Sequence, residues 1–312
     1  MARIVGNSSK NSIVGTTAGD VILGLGNDDT LRGGRGNDQL LGGTGNDKLF
    51  GDAGKDKLLG EAGNDTLTGG DGNDILEGGK GADKHLGGAG TDWVSYEHAA
   101  SGVGMDLLNN LGNAGDATGD TFSSIENIMG SNFDDGGGAV GTQGLYGNAG
   151  DNTIMGLGGD DTIYSNGGND RMFGGTGNDV IGGAGGLDYI DGGAGMDQVD
   201  CGSDAVQDKV VLHKDAPDRI FNFEFADLDK IVLSTSEFGI TALVGGTNFF
   251  TAAAVPTNSS GAAGTHVIYN DTNADTLWYD KDGAGGVLPV LIADFGAGTM
   301  SNFLAFDFVL IA

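Results

Sequence analysis

The apolar residues of this chain recur every nine positions: Ile22, Leu31, Leu40, Leu49, Leu58, Leu67, Leu76 and Val94 share one slot, and His85 fills it once. Neither the 3.6-residue period of an amphipathic helix nor plain two-residue alternation produces that spacing. The neighbours of the slot are often polar, as at Lys48, Lys57, Thr66, Thr68 and Glu77. A three-residue strand fits, with its middle side chain inward and its neighbours outward. The six residues between slots are rich in glycine and predict a tight turn. The pattern therefore predicts strand and turn repeated at a fixed interval, a solenoid whose core is a file of leucines.

In register, one unit reads Gly33-Gly34-Arg35-Gly36-Asn37-Asp38-Gln39-Leu40-Leu41. Position one is glycine in all nine units from Gly15 to Gly87. Position six is aspartate at Asp20, Asp29, Asp38, Asp47, Asp56, Asp65, Asp74, Asp83 and Asp92, and the beat returns at Asp161, Asp170, Asp179, Asp188 and Asp197. A buried leucine contributes roughly 2–3 kcal/mol. Fixing the backbone costs about 1–2 kcal/mol for each residue. One leucine per unit is too little, and carboxylates layered on one another repel. A cation shared between layers would reverse that balance. Two carboxylates and several loop carbonyls could supply the roughly six to eight oxygens that calcium prefers.

Composition points the same way. Glycine accounts for 63 of 312 residues, without the three-residue period of collagen and with only 3 prolines. The formal net charge is −29, which disfavours nucleic-acid backbones and anionic membranes and favours cations. Of the acids, 38 are aspartate and 6 glutamate. A merely solubilising surface would use both, whereas short aspartate suits metal-binding turns. The single cysteine, Cys201, excludes an intrachain disulfide. Residues 1–15 hold no apolar run of signal-peptide length, and no stretch is long and apolar enough to predict a membrane span.

These units resemble the RTX (repeats in toxin), or hemolysin-type calcium-binding, family, whose pattern is GGxGxDxUx with U a large apolar residue. The resemblance implies an all-β fold: two calcium-loaded parallel β-rolls, nonapeptide solenoids with two repeats per coil, plus a C-terminal β-rich capping domain. It places calcium between loops 18 residues apart: 20/38, 29/47, 38/56, 47/65, 56/74, 65/83 and 74/92, then 161/179, 170/188 and 179/197, or roughly ten ions. The expected organisation is a capping repeat at 1–14, a first roll at 15–95, a connecting β module at 96–137, a second roll at 138–204 and the cap at 205–312. Asn11 replaces the aspartate of the capping repeat, Asn152 and Gln143 replace it before the second array, and His85 suggests a local distortion or array end. Asp135 stands out of register and its site is doubtful; Asp116 and Asp120 read as a polar turn or a further calcium site. A long loop is expected around Asn109 to Thr118.

No HExxH or GxSxG motif is present, and His85, His98, His213 and His266 show no ligand spacing. Cys201 reads as a packed or turn thiol. Asp280 and Asp282 lack the closing Glu of an EF-hand loop. Trp93, Trp278 and Tyr279 read as core packing or as a carbohydrate platform. The repeats open at residue 6 or 15, so no catalytic domain is expected ahead of them. The apolar tail Phe303 to Ala312 resembles the uncleaved signal of type I secretion, and also reads as a final strand. The resemblance thus implies a small, secreted, non-enzymatic calcium-binding protein of a Gram-negative bacterium, extracellular or at the cell surface. Its expected partners are calcium, the type I secretion machinery, and an extracellular polysaccharide or host surface, with no nucleic acid. The rival readings are a polysaccharide-binding module of an alginate-epimerase-like system and a surface-layer or membrane-active protein.

Overall fold

The structure, a computed structural model, describes residues 1–136, 144–204, 206–223, 229–238, 249–252, 267–271, 276–280, 290–295 and 308–311. It divides into two compact units, Met1–Thr162 and Ile163–Ala312. Among the described residues it is nearly all β, and no helix is long and apolar enough to cross a membrane.

In the first unit, successive nonapeptides alternate between two parallel sheets. Val21–Gly26, Gln39–Thr44, Lys57–Ala62 and Ile75–Lys80 lie side by side in one, and Thr30–Arg35, Lys48–Ala53, Thr66–Asp71 and Lys84–Ala89 in the other. Leu40 pairs with Leu58 and Leu49 with Leu67, so two repeats make one coil, as the resemblance implies. Every slot-eight leucine is fully buried, and the core is the expected file.

The strands are longer than the sequence pattern predicts. Each regular one runs six residues, from position seven to position three of the next unit. Parallel pairing continues past the corner, at Gly43↔Glu61 and Thr44↔Ala62. The corner itself is a residue of positive φ at position two, such as Gly34 (107°) or Gly43 (108°), which bends the strand without breaking the ladder. Only positions four to six are left as turn.

The break in period after residue 95 does not end this stack. Lys84–Leu86 pairs with Thr121–Ser123, Trp93–Ser95 with Asn127–Met129, and Ile128 with Ile154. The intervening residues form an antiparallel hairpin, Gly104–Asp106 with Leu111–Ala114, and a short 3-10 turn, Gly115–Ala117, where a long loop was expected. His85 causes no distortion either. It is fully buried, holds register with Leu67 and Phe122, and stacks on the Phe122 ring at 5.4 Å.

In the second unit, Arg171–Thr176, Tyr189–Ala194, Lys209–Leu212, Lys230–Ser234 and Phe308–Ile311 form one parallel series. Val180–Gly182, Gln198–Asp200, Asp218–Phe221 and Val290–Asp294 form another. Parallel ladders therefore run past residue 204 into residues assigned to the cap. Irregular spacing hides this continuation in the sequence, because Val210, Ile220 and Ile231 fill the inward slot without the nine-residue beat. The cap adds an antiparallel meander, Val267–Asp271, Thr276–Asp280 and Val290–Asp294. Tyr279 belongs to its core: its ring meets Phe238 edge-on at 5.1 Å and its hydroxyl donates to the Phe238 carbonyl at 2.7 Å. Gly138 to Gln143, His266, Asp282, the Trp278 side chain and most of the 303–312 tail lie outside the described residues.

Removing a leucine from the file leaves a void that its stacked neighbours cannot fill. Leu58→Ala is expected to cost about 2–5 kcal/mol in urea unfolding of the calcium-loaded protein. His85→Leu is expected to stabilise it by about 1–3 kcal/mol, because the fully buried imidazole has no hydrogen bond of good geometry, only the Thr121 backbone nearby, to offset its desolvation. A loss of stability in the second variant would contradict this account of the core.

Candidate metal centres

Position six sits where the turn re-enters the strand, so its side chain points back under the turn. All fourteen aspartates of the two arrays are buried, none more than 3% exposed. They form a ladder. The N–H of Asp38 donates to Oδ1 of Asp56 at 2.7 Å, that of Asp47 to Asp65 at 2.7 Å, and that of Asp56 to Asp74 at 2.8 Å, each 18 residues on. Asp170 and Asp188, then Asp179 and Asp197, repeat the bond at 2.9 Å in the second unit. One oxygen of each carboxylate thus ties a coil to the preceding one.

The other oxygen is left over. Oδ2 of Asp29, Asp38, Asp47, Asp56, Asp65, Asp74, Asp83, Asp92, Asp188 and Asp197 is buried without a hydrogen-bond partner. It faces position one of its own unit, which explains the glycine there. A Cβ on Gly33 would lie 2.4 Å from Asp38 Oδ2 and 2.8 Å from the Gly51 carbonyl oxygen of the next coil. Carboxylate and carbonyl oxygens therefore converge around a cradle that only glycine leaves open. An all-oxygen donor set repeated from coil to coil suits a hard cation of the calcium type. Such an ion would supply the charge that the buried carboxylates lack.

Not every loop is built this way. At Asp20, Oδ2 accepts both the N–H and the hydroxyl of Thr16 at 2.7 Å. At Asp135, Oδ2 accepts the Ser131 N–H at 2.7 Å. Asn11 and Asn152 accept the N–H of Asn7 and Asn148 in the same manner, at 2.7 and 2.8 Å. These are closed loops: position two turns its N–H onto the position-six side chain. In the open loops position two has positive φ, at Leu25, Gly34, Gly43, Asp52, Glu61, Gly70, Gly79, Gly88, Ala184 and Gly193, and Oδ2 stays unclaimed. Among the described residues, Thr16, Ser131, Asn7 and Asn148 stand at position two of these closed loops, and residues of these types favour local side-chain and backbone bonding, although Asn166 at the same position keeps a positive φ of 76°.

The ladder also recruits carboxylates outside the nine-residue beat. Asp83 donates to Asp120 Oδ1 at 2.7 Å and Asp92 to Glu126 Oε2 at 2.8 Å. Asp188 donates to Asp208 at 2.9 Å, Asp197 to Asp218 at 3.1 Å and Asp208 to Asp229 at 2.8 Å. The signal that could have found them is the tripeptide acid-x-apolar, as in Asp208-Lys209-Val210 and Asp120-Thr121-Phe122. Asp120 differs in one respect: the Tyr96 hydroxyl donates to its Oδ2 at 2.8 Å. A second ladder runs along position five, where Asn46 and Asn64 each accept the N–H of the residue one coil later, at 2.7 and 2.9 Å. The preference for asparagine at that position comes from this bond.

The histidines are placed otherwise. His85 is in the core, His98 meets Glu77 at 3.0 Å, and His213 bridges Asp191 at 2.9 Å and Glu237 at 3.1 Å.

The profile of the RTX calcium-binding nonapeptide repeat matches residues 5–40, 36–67, 59–94, 146–181 and 166–199. The repeats of this chain are RTX repeats. They bind calcium, and the open loops are where the donor oxygens of such repeats gather. Asp120, Glu126, Asp208, Asp218 and Asp229 lie outside the matched residues. No curated protein matches the chain.

In the metal-free protein, burial and then neighbouring carboxylates oppose ionisation of the RTX ladder. Asp56 and Asp92 are pushed up to about 6, and Asp65 and Asp188 to about 7. Beyond the repeats, Asp208 and Asp218 reach about 8. Asp20 goes the other way, held below the usual carboxylate range by the Ala2 N–H and by Thr16. A raised carboxyl pKa stabilises the fold when the group is protonated, below the unfolded value of about 3.9. That stability is lost as pH rises through about 6 to 8. His85, lowered to about 4 by burial, works the other way between 6.5 and that value, but it is a single group.

Calcium-depleted protein is therefore expected to show more β signal by circular dichroism at pH 5 than at pH 8, and calcium to bind more weakly at pH 5. Equal ellipticity at both pH values would contradict the burial of these carboxylates. The two loop classes separate in a second measurement. Asp65→Asn, in an open loop, is expected to lower the number of bound calcium ions by one or two in equilibrium dialysis. Asp20→Asn, in a closed loop, is expected to change it by less, and equal losses would dissolve the distinction.

Proposed function

We propose that this chain is a secreted, non-enzymatic calcium-binding protein that folds when it meets extracellular calcium. The observation that carries this reading is the file of ten buried carboxylate oxygens without hydrogen-bond partners, arranged on the RTX repeats. The calcium ligands in this reading are the open-loop aspartates. In the first array, six of the seven loop pairs (all but 20/38) join two open loops. About ten ions in all remain the upper expectation. Without them the stacked charge opposes the fold; with them, binding and folding are one linked equilibrium.

Such coupling suits export. In cytosol poor in free calcium the chain would stay unfolded and able to pass a type I secretion channel. Outside a Gram-negative cell, calcium near 10⁻⁴–10⁻³ M, the range of extracellular modules, would close the rolls. Attachment to a surface, matrix or host is the role this reading favours. Circular dichroism in millimolar calcium and in chelator tests it: a β spectrum is expected only with calcium, and one unchanged by chelator at pH 7–8 would overturn it.

One observation favours the polysaccharide reading as a second possibility. In the second unit the Arg171 guanidinium lies 4.7 Å from the centre of the Tyr189 ring and 5.5 Å from that of Phe173, on the outer side of the strands. Aromatic faces beside a cation are suited to stack on an acidic sugar. Retardation of the calcium-loaded protein in an alginate gel, lost in Tyr189→Ala, would support that role; unchanged mobility would exclude it.

A further inference from the structure

Position one of the RTX unit is glycine because the position-six carboxylate fills the space beside it. In the second array Gly174, Gly183 and Gly192 obey this rule, with Oδ2 of the following aspartate 2.2, 2.4 and 2.2 Å from where a Cβ would sit. Gly174 also shows the other wall of the cradle: the Gly192 carbonyl oxygen, one coil on, lies 2.5 Å from the same point. The unit of Asp170 breaks the rule, because its position one is Ser165.

Ser165 is fully buried, and its hydroxyl donates to the Gly183 carbonyl oxygen at 2.9 Å. Gly183 stands to Ser165 as Gly192 stands to Gly174, 18 residues on. The bond therefore takes the carbonyl that walls the cradle elsewhere. A side chain at this corner also costs the sheet its continuity. Across the glycine corners, Arg171–Thr176 and Tyr189–Ala194 run six residues, through position three. Beside Ser165, Thr162–Tyr164 and Val180–Gly182 stop at position nine, and a single bridge, Gly167↔Gly185, resumes the pairing. Asn166 at position two still has the positive φ of an open loop, 76°. The corner is thus of the open kind, while its interior is filled by protein.

Calcium needs about six to eight oxygens turned toward it. A cradle that holds a methylene group, and a hydroxyl whose proton points at the carbonyl, offers less room and one donor fewer. We propose that Ser165 is a built-in plug, which fills the cradle of its own loop so that the pair 170/188 takes no calcium, although the nonapeptide profile spans it. Calcium in this array then gathers in the loops of Asp179 and Asp197, whose position-one residues are Gly174 and Gly192. The plug rests on the calcium reading of the repeats and decides which of them load.

Equilibrium dialysis of the full-length chain at saturating calcium counts the bound ions. Ser165→Gly is expected to raise the number by one. Ser165→Ala keeps the Cβ and is expected to leave it unchanged, whereas a hydroxyl acting as a calcium ligand would make it fall. Asp170→Asn is expected to leave the number unchanged and Asp179→Asn to lower it by at least one. No gain in Ser165→Gly, a loss in Ser165→Ala, or equal losses in the two aspartate variants overturns the plug. Circular dichroism of the same samples reports the fold. A wild-type chain that binds no calcium at all would overturn the calcium reading itself, an outcome distinct from any of these.

Discussion

A carboxylate buried at every turn, one coil above the next, is the constraint on which the rest of this molecule depends. Each aspartate uses one oxygen to hold the coil before it, so the residue cannot be exchanged for an apolar one without loosening the stack. In the open loops the second oxygen is buried where no protein donor reaches it. Structure and repulsion therefore come from one residue. A buried charge without a partner costs several kcal/mol, and the leucine file gives only one full apolar side chain per unit to set against it. A divalent cation resolves the conflict for two coils at once.

The backbone at position two goes with whether the position-six carboxylate is satisfied from within the loop. Positive φ there carries the strand round the corner and leaves the carboxylate unclaimed. Thr16, Ser131, Asn7 and Asn148 at the same place turn their N–H onto position six and complete the loop from within. A change of one backbone angle thus separates a loop whose carboxylate oxygen is unclaimed from one that satisfies it internally.

Most of this was legible in the sequence because the period is strict. The nine-residue beat places Leu40 over Leu58 and Asp38 before Asp56, and pairing and ladder follow from it. What the beat could not show lies where spacing changes while the local tripeptide persists. Asp120, Asp208, Asp218 and Asp229 hold the ladder's geometry at offsets of 37, 20, 21 and 21 residues, because a longer turn can bulge outward without moving the strand. His85 misleads for the opposite reason. It breaks the apolar pattern, yet an imidazole stacked on Phe122 has the shape the slot requires. The strand extension past position one was hidden as well, since glycine-rich segments read as turn whatever their hydrogen bonding.

The closed loops also share a place in the order of the coils. Asn11 and Asp20 stand at the start of the first array, and Asp135 and Asn152 precede the renewed beat at Asp161. Each satisfies its side chain with its own backbone, at 2.7 to 2.8 Å, and needs no ion. Closed coils therefore lie ahead of each run of open ones. The open coils beyond them present preset N–H and Oδ1 partners at one coil spacing, and what they lack is charge rather than shape. An ion entering such a stack would join two loops that are already in register, so that its effect would be shared by both coils.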